Sequence, residues 1–174
     1  MKTKQILTLL LFLTGTLPGL AQQDPVERLF EKYAGKEGYT SVYISSKMFR
    51  MFSDADIYDP EFTDLMKSLK SIRILTQDDV NDPDEKEAFY NEMFRSLPHH
   101  TYEELMTVTE PGQKVTFLVR EQQGRISELI MIVGGKNSEN VLIDIRGDID
   151  MKKIAGLSKI MDLRGMDKLD RLEK

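Results

Sequence analysis

Cysteine is absent from all 174 residues, and that single absence excludes three things. No disulfide can stabilise the fold, no thiolate can complete a zinc site, and no lipid-modified cysteine can tether the chain as a bacterial lipoprotein. Histidine is almost as scarce, with His99 and His100 the only two. Neighbouring residues on a helix or strand point apart, so the pair cannot easily chelate one metal ion, and after Pro98 it reads as a solvated loop pair. No G-x-S-x-G elbow presents a nucleophilic serine, and Gly134-Gly135-Lys136 lacks the spacing of a phosphate loop. Internal repeats and low-complexity tracts are also missing. No catalytic residue, metal site or cofactor is expected.

Long apolar runs are lacking too. Ile6–Leu13, interrupted only by Thr8, falls well short of the roughly 20 residues that span a bilayer. Lys2 and Lys4 precede the run, Pro18 and Gly19 break it, and Gly19-Leu20-Ala21 puts small residues where a signal peptidase must accommodate them. Residues 1–21 therefore predict a secretory signal peptide cleaved after Ala21, with no membrane span in the mature form. The expected compartment is the periplasm, with release to the medium as the alternative. The full chain carries 24 basic and 29 acidic residues; loss of Lys2 and Lys4 leaves 22 against 29, a net charge of −7. With its basic residues dispersed, such a surface repels phosphate backbones, and no nucleic-acid partner is expected.

The composition, 40% hydrophobic and 30% charged, is that of a globular domain, and the mature length suits one core. Asp24-Pro25 is a helix start, followed by Val26, Leu29, Phe30 and Tyr33 on one face to about Ala34. Tyr39–Ser45 (YTSVYIS) has strand composition. Met48, Phe49, Met51 and Phe52 fit a short helix capped by Ser46, and Asp59-Pro60 starts another carrying Phe62, Leu65, Met66 and Leu69. Ser71–Thr76 reads as a second short strand and Gln77–Glu85 as an acidic loop. A helix after Pro83 carries Ala88, Phe89, Met93, Phe94 and Leu97 until Pro98. Tyr102–Thr109, Gln113–Gln122, Arg125–Val133 and Asn140–Ile149 then form strand-like runs joined by short turns. Asp150 caps a helix bearing Ile154, Leu157, Ile160 and Met161. The expected fold is α+β: a four-stranded antiparallel meander packed with amphipathic helices, plus one or two N-terminal strands. It occupies residues 22–161 and leaves a charged amphipathic tail at 162–174.

Alternation places Val115, Phe117, Val119, Val141, Ile143 and Ile145 on one face of the meander, and Leu118, Met131, Val133 and Leu142 on the other. With both faces apolar, either helices cover both or the second is a binding or dimerisation surface. A second candidate contact is the tail, through Leu163, Met166, Leu169 and Leu172.

The segments VERLFEKYAG (26–35), YTSVYISSKMFRMF (39–52), SIRILT (71–76), YEELMTV (102–108), KVTFLVREQQGRISELIMIVGG (114–135) and VLIDIRGDIDMKKIAGL (141–157) follow one another along the chain. In that order they resemble the Bacteroidota family of exported proteins called domain of unknown function 4252. The resemblance implies an envelope domain with no assigned activity, no catalytic residues to carry over, and a regulatory or envelope-stress setting.

The remaining clusters read as structure. Asp78–Glu85 fails calcium-loop spacing because Pro83 falls at a ligand position. Asp54, Asp56 and Asp59 form a weaker cluster, in part explained by capping. Arg146-Gly147-Asp148 is expected to mark a strand-to-helix handover. Glu128, inside the apolar run ISELIMIV, must be exposed, sit at a bulge, or pair with a cation such as Lys114 or Arg120. The function expected from all this is a non-enzymatic protein-interaction or regulatory domain, binding another envelope protein or itself. The alternative is a periplasmic small-ligand or weak hydrolytic domain using Glu103, Glu128 or the histidines.

Overall fold

The computed structural model describes residues 24–53, 60–78, 80–136 and 138–151. The expected signal peptide, the Asp54–Asp59 cluster, the helix expected after Asp150 and the 162–174 tail lie outside these residues, apart from Met151. Four helices are described: α1 (Pro25–Tyr33), α2 (Ser46–Ser53), α3 (Pro60–Ser68) and α4 (Pro83–Ser96). The strands are β1 (Tyr39–Ser45), β2 (Leu69–Gln77), β3 (Glu103–Glu110), β4 (Gln113–Gln122), β5 (Arg125–Gly134) and β6 (Asn140–Ile149). The architecture is α+β.

The C-terminal four strands form the expected meander, but the sheet does not stop there. All six strands join one antiparallel sheet in the order β1-β2-β6-β5-β4-β3. β6 inserts between β2 and β5, pairing Ile72 with Ile145 on one side and Met131 with Ile143 on the other. Such long-range pairing leaves no mark in local periodicity. Leu69, expected on α3, is the first residue of β2.

α1 begins where Asp24 Oδ1 accepts hydrogen bonds from the Val26 and Glu27 amides at 2.9 and 3.2 Å, with Pro25 needing no donor there. Asp82 caps α4 in the same way, accepting from the Asp84 amide at 2.9 Å. α1 and α4 press Val26, Leu29, Phe89 and Met93 onto one face of the sheet, over Leu75, Leu118, Ile130, Ile132 and Leu142. On the opposite face Phe49 of α2 and Leu65 and Met66 of α3 share a core with Ile72, Phe117, Met131, Val133, Ile143 and Ile145.

The face assignment of β5 thus differs from simple alternation: Met131 and Val133 sit with Phe117, not with Leu118. A β-bulge is the cause. The Gln123-Gly124 turn has both residues at positive φ, 55° and 74°, the type I′ geometry that suits a two-residue hairpin. A bulge-free ladder from that turn would set Met131 opposite Thr116. Instead Glu121 faces Ile126 while Arg120 faces Glu128, leaving Ser127 as an extra residue whose hydroxyl donates to the Arg120 carbonyl at 3.0 Å. One inserted residue turns the rest of β5 over.

Arg146-Gly147-Asp148 lies within β6 rather than at a handover. Gly147 is required there by close approach: a Cβ would strike the Ser68 carbonyl oxygen and stand 3.0 Å from Leu69 Cα.

Candidate functional site

The bulge aims Glu128 into a buried charged cluster. Arg120 pairs with Glu128 directly across the ladder, and the Tyr102 hydroxyl donates to Glu128 Oε2 at 3.2 Å. Arg146 lies 3.0 Å from Glu128 Oε1, near enough for Coulomb attraction though not aligned as a hydrogen bond. The same guanidinium reaches Asp144 at 3.0 Å and Asp24 at 2.8 Å. Arg73 adds contacts of 3.3 Å to Asp144 and 3.7 Å to Glu27. Three guanidiniums therefore face four carboxyl groups, Asp24, Glu27, Glu128 and Asp144, and the set balances if one carboxyl keeps its proton.

Glu128 is the best placed to keep it. Burial, and then the Asp144 carboxylate beside it, push its carboxyl up to about 7. Burial raises Asp144 as well, although Arg146 and Arg73 oppose the shift. Burial would raise Asp24 too, but Arg146 and the two cap amides outweigh it and hold the group below its ordinary value. Burial and the neighbouring Glu128 raise the Tyr102 phenol. The cluster ties the α1 cap to β2, β4, β5 and β6. Glu128 and Asp144 are fully buried, and neither lines the cleft beside β1 or the one at the β4–β5 turn.

The groups of the hydrolytic alternative do not converge. Glu103 is paired with Val119, whose side chain belongs to the α2–α3 face, whereas Glu128 points to the α1–α4 face. His99 and His100 are exposed on a single 3₁₀ turn, His99–Thr101, with the His99 ring 4.5 Å from that of Phe94.

The open sheet face expected from Leu118, Met131, Val133 and Leu142 is not found: all four are buried, divided between two cores. The exposed apolar surface is elsewhere. Among the described residues, the large hydrophobic side chains most exposed to solvent all fall between Val42 and Phe52: Val42 (39%), Tyr43 (62%), Met48 (46%), Met51 (64%) and Phe52 (40%). Exposed hydrophobic residues scattered singly mean little; their confinement to one stretch marks a surface. β1 forms an edge of the sheet, with Thr40, Ser41, Val42 and Tyr43 all exposed. On the α1 side the edge borders a cleft of about 440 Å³ lined by Phe30, Ala34, Ser41, Tyr43 and Arg73 among others. The Arg73 guanidinium lies 5.4 Å from the centre of the Tyr43 ring.

Both features left traces in the sequence. Asp144 and Arg146 share the parity of Leu142 along β6, so two charges stand on an apolar side and need partners. YTSVYIS carries no charge, unlike a strand protected at an edge. No described helix is long and apolar enough to cross a membrane.

No curated protein and no solved structure matches this chain. Residues 33–157 match a family described as a domain of unknown function (DUF4252), a span running from the last turn of α1 past the end of β6. The chain belongs to the DUF4252 family.

Proposed function

We propose that this chain is an exported, non-enzymatic association domain of a bacterial envelope, delivered by residues 1–21 and acting through the β1–α2 edge. The observation that carries the reading is the confinement, among the described residues, of the most exposed large hydrophobics to Val42–Phe52. The charged cluster supports it from the other side, because its two buried carboxyl groups, Glu128 and Asp144, are closed off among arginines and serve to join elements.

The test is a crosslinking pull-down from the periplasm with the wild-type chain and with Val42→Lys. An exposed strand residue changes stability by no more than about 0.5 kcal/mol, so the variant keeps its circular dichroism spectrum and loses its partner. Equal recovery by both chains overturns the edge as the contact surface. The recovered chain is expected to have the mass of a product beginning at Gln22, which checks the export step.

A further inference from the structure

We infer that the β1 edge takes an extended segment of a basic partner, added to the sheet as a further strand, with its lysine or arginine side chains turned into the α1–β1 cleft. The inference rests on the association reading above and names the chemistry of the partner. Main-chain hydrogen bonds to an open edge supply affinity in strand addition, and pockets for alternate side chains supply selectivity. β1 offers such an edge. Its seven residues contain no charge and no proline, and its pairing with β2 runs in unbroken register from Tyr39–Gln77 to Ser45–Ser71. β3, the other edge, carries Glu103, Glu104 and Glu110, but a bulge between Glu104 and Met106 breaks the line that an added ladder would follow.

Charge selects the partner. Side chains of an added strand alternate between the two faces of the sheet. Ser41 and Tyr43 stand opposite Leu75 and Arg73 on the α1 side, whereas Val42 and Ile44 stand opposite Ile74 and Ile72 on the α2 side. One set of the partner's side chains therefore enters the cleft between α1 and β1, whose charged lining is Glu27 and Glu31, one turn apart on α1, and Arg73. Arg73 is already engaged, 3.3 Å from buried Asp144 and 3.7 Å from Glu27, in a cluster with more carboxyl groups than guanidiniums. Glu31 adds to that excess, so the cleft favours cations, and the net charge of −5 draws them in from a distance. The same carboxylates turn away an acidic strand. The other set of side chains falls beside exposed Val42 and suits apolar residues. The partner segment thus alternates basic and apolar residues along the seven positions of β1.

The probes are capped, fluorescently labelled heptapeptides titrated into the purified full chain: lysine alternating with valine, glutamate alternating with valine, and the lysine peptide with proline at its centre. The unbroken lysine peptide is expected to bind. The glutamate peptide should fail through charge and the proline peptide through its broken ladder. Glu27→Gln with Glu31→Gln is expected to weaken binding by about fivefold, the loss of two solvent-exposed ion pairs, with unchanged circular dichroism. Glu104→Gln with Glu110→Gln removes the same charge from β3 and should leave binding nearly unchanged. Hydrogen exchange locates the contact: amides of residues 39–45 are expected to slow on binding and those of 103–110 are not. Equal binding of the proline peptide, equal weakening by the two double variants, or protection at β3 overturns the inference. If no peptide binds, the inference falls and the pull-down decides the reading beneath it. A partner lost with Val42→Lys then keeps the association reading without the basic strand; an empty pull-down removes both.

Discussion

Two arginines, a tyrosine hydroxyl and a second carboxyl surround Glu128, and the consequence is a pH dependence with a definite sign. Its folded-state value, about 7, lies above the ordinary 4.5, so folding favours the protonated form. Its contribution is complete below pH 4.5 and is lost as the pH rises through about 7. Asp24 works in the opposite sense: held below its ordinary 3.8, it contributes above that value and stops doing so as acid protonates it in the fold. Thermal stability is therefore expected to peak on the acidic side of neutrality. Glu128→Gln removes the titrating group while leaving an oxygen to accept from Tyr102, and should flatten the slope between pH 4.5 and 7. Circular dichroism melts across that range check it; a variant as pH-dependent as wild type would place the proton elsewhere.

Among the elements, β5 shows how one residue can decide a fold. Ser127 is the inserted residue of the bulge, so deleting it restores the simple hairpin ladder and leaves Glu128 opposite Arg120 and Met131 opposite Phe117. Cooperative urea unfolding is therefore expected to survive the deletion, with the midpoint lowered by loss of the hydrogen bond from Ser127 to the Arg120 carbonyl, worth about 1 kcal/mol; loss of the cooperative transition would show that the bulge itself, and not only the pairing beyond it, holds the strand. The same residue marks how far the sequence could be read. β1, the helices after Pro25 and Pro83, and the four C-terminal strands follow from local periodicity and turn residues. Alternation fixes which side chains share a face within a strand, but the phase between neighbours depends on a bulge, and for that reason Met131 and Val133 were expected beside Leu118. The exposed edge was missed for a related cause. Val42 and Tyr43 look like core residues until it is known that, among the described strands, β1 pairs on one side only.

For the whole molecule, the decisive feature is the place of β6. β1 and β2 come early in the chain and β3, β4 and β5 come late, yet these groups share no strand pairing with each other; each is joined through β6. The charged cluster repeats the arrangement, since Arg146 and Asp144 of β6 bind Asp24 and Arg73 from the first half and Glu128 from the second. A chain ending at residue 139 should therefore retain no cooperative thermal transition, although five of the six strands are present. Calorimetry would decide, a sharp transition in the truncated chain showing that one half folds alone.

For the export proposed above, this position of β6 would also set a sequence of events. A polypeptide threaded N-terminus first through a narrow pore delivers α1 and β1 to the far side long before Asn140–Ile149 arrives. Until then β2 lacks its inner neighbour, β5 lacks its own, and Asp24 has no Arg146 to bind. The completed sheet cannot form on the near side once threading has begun, nor on the far side until the passage is almost over. In the export proposed above, an architecture whose last described strand occupies its middle would keep the chain slack during transit and tighten it on arrival.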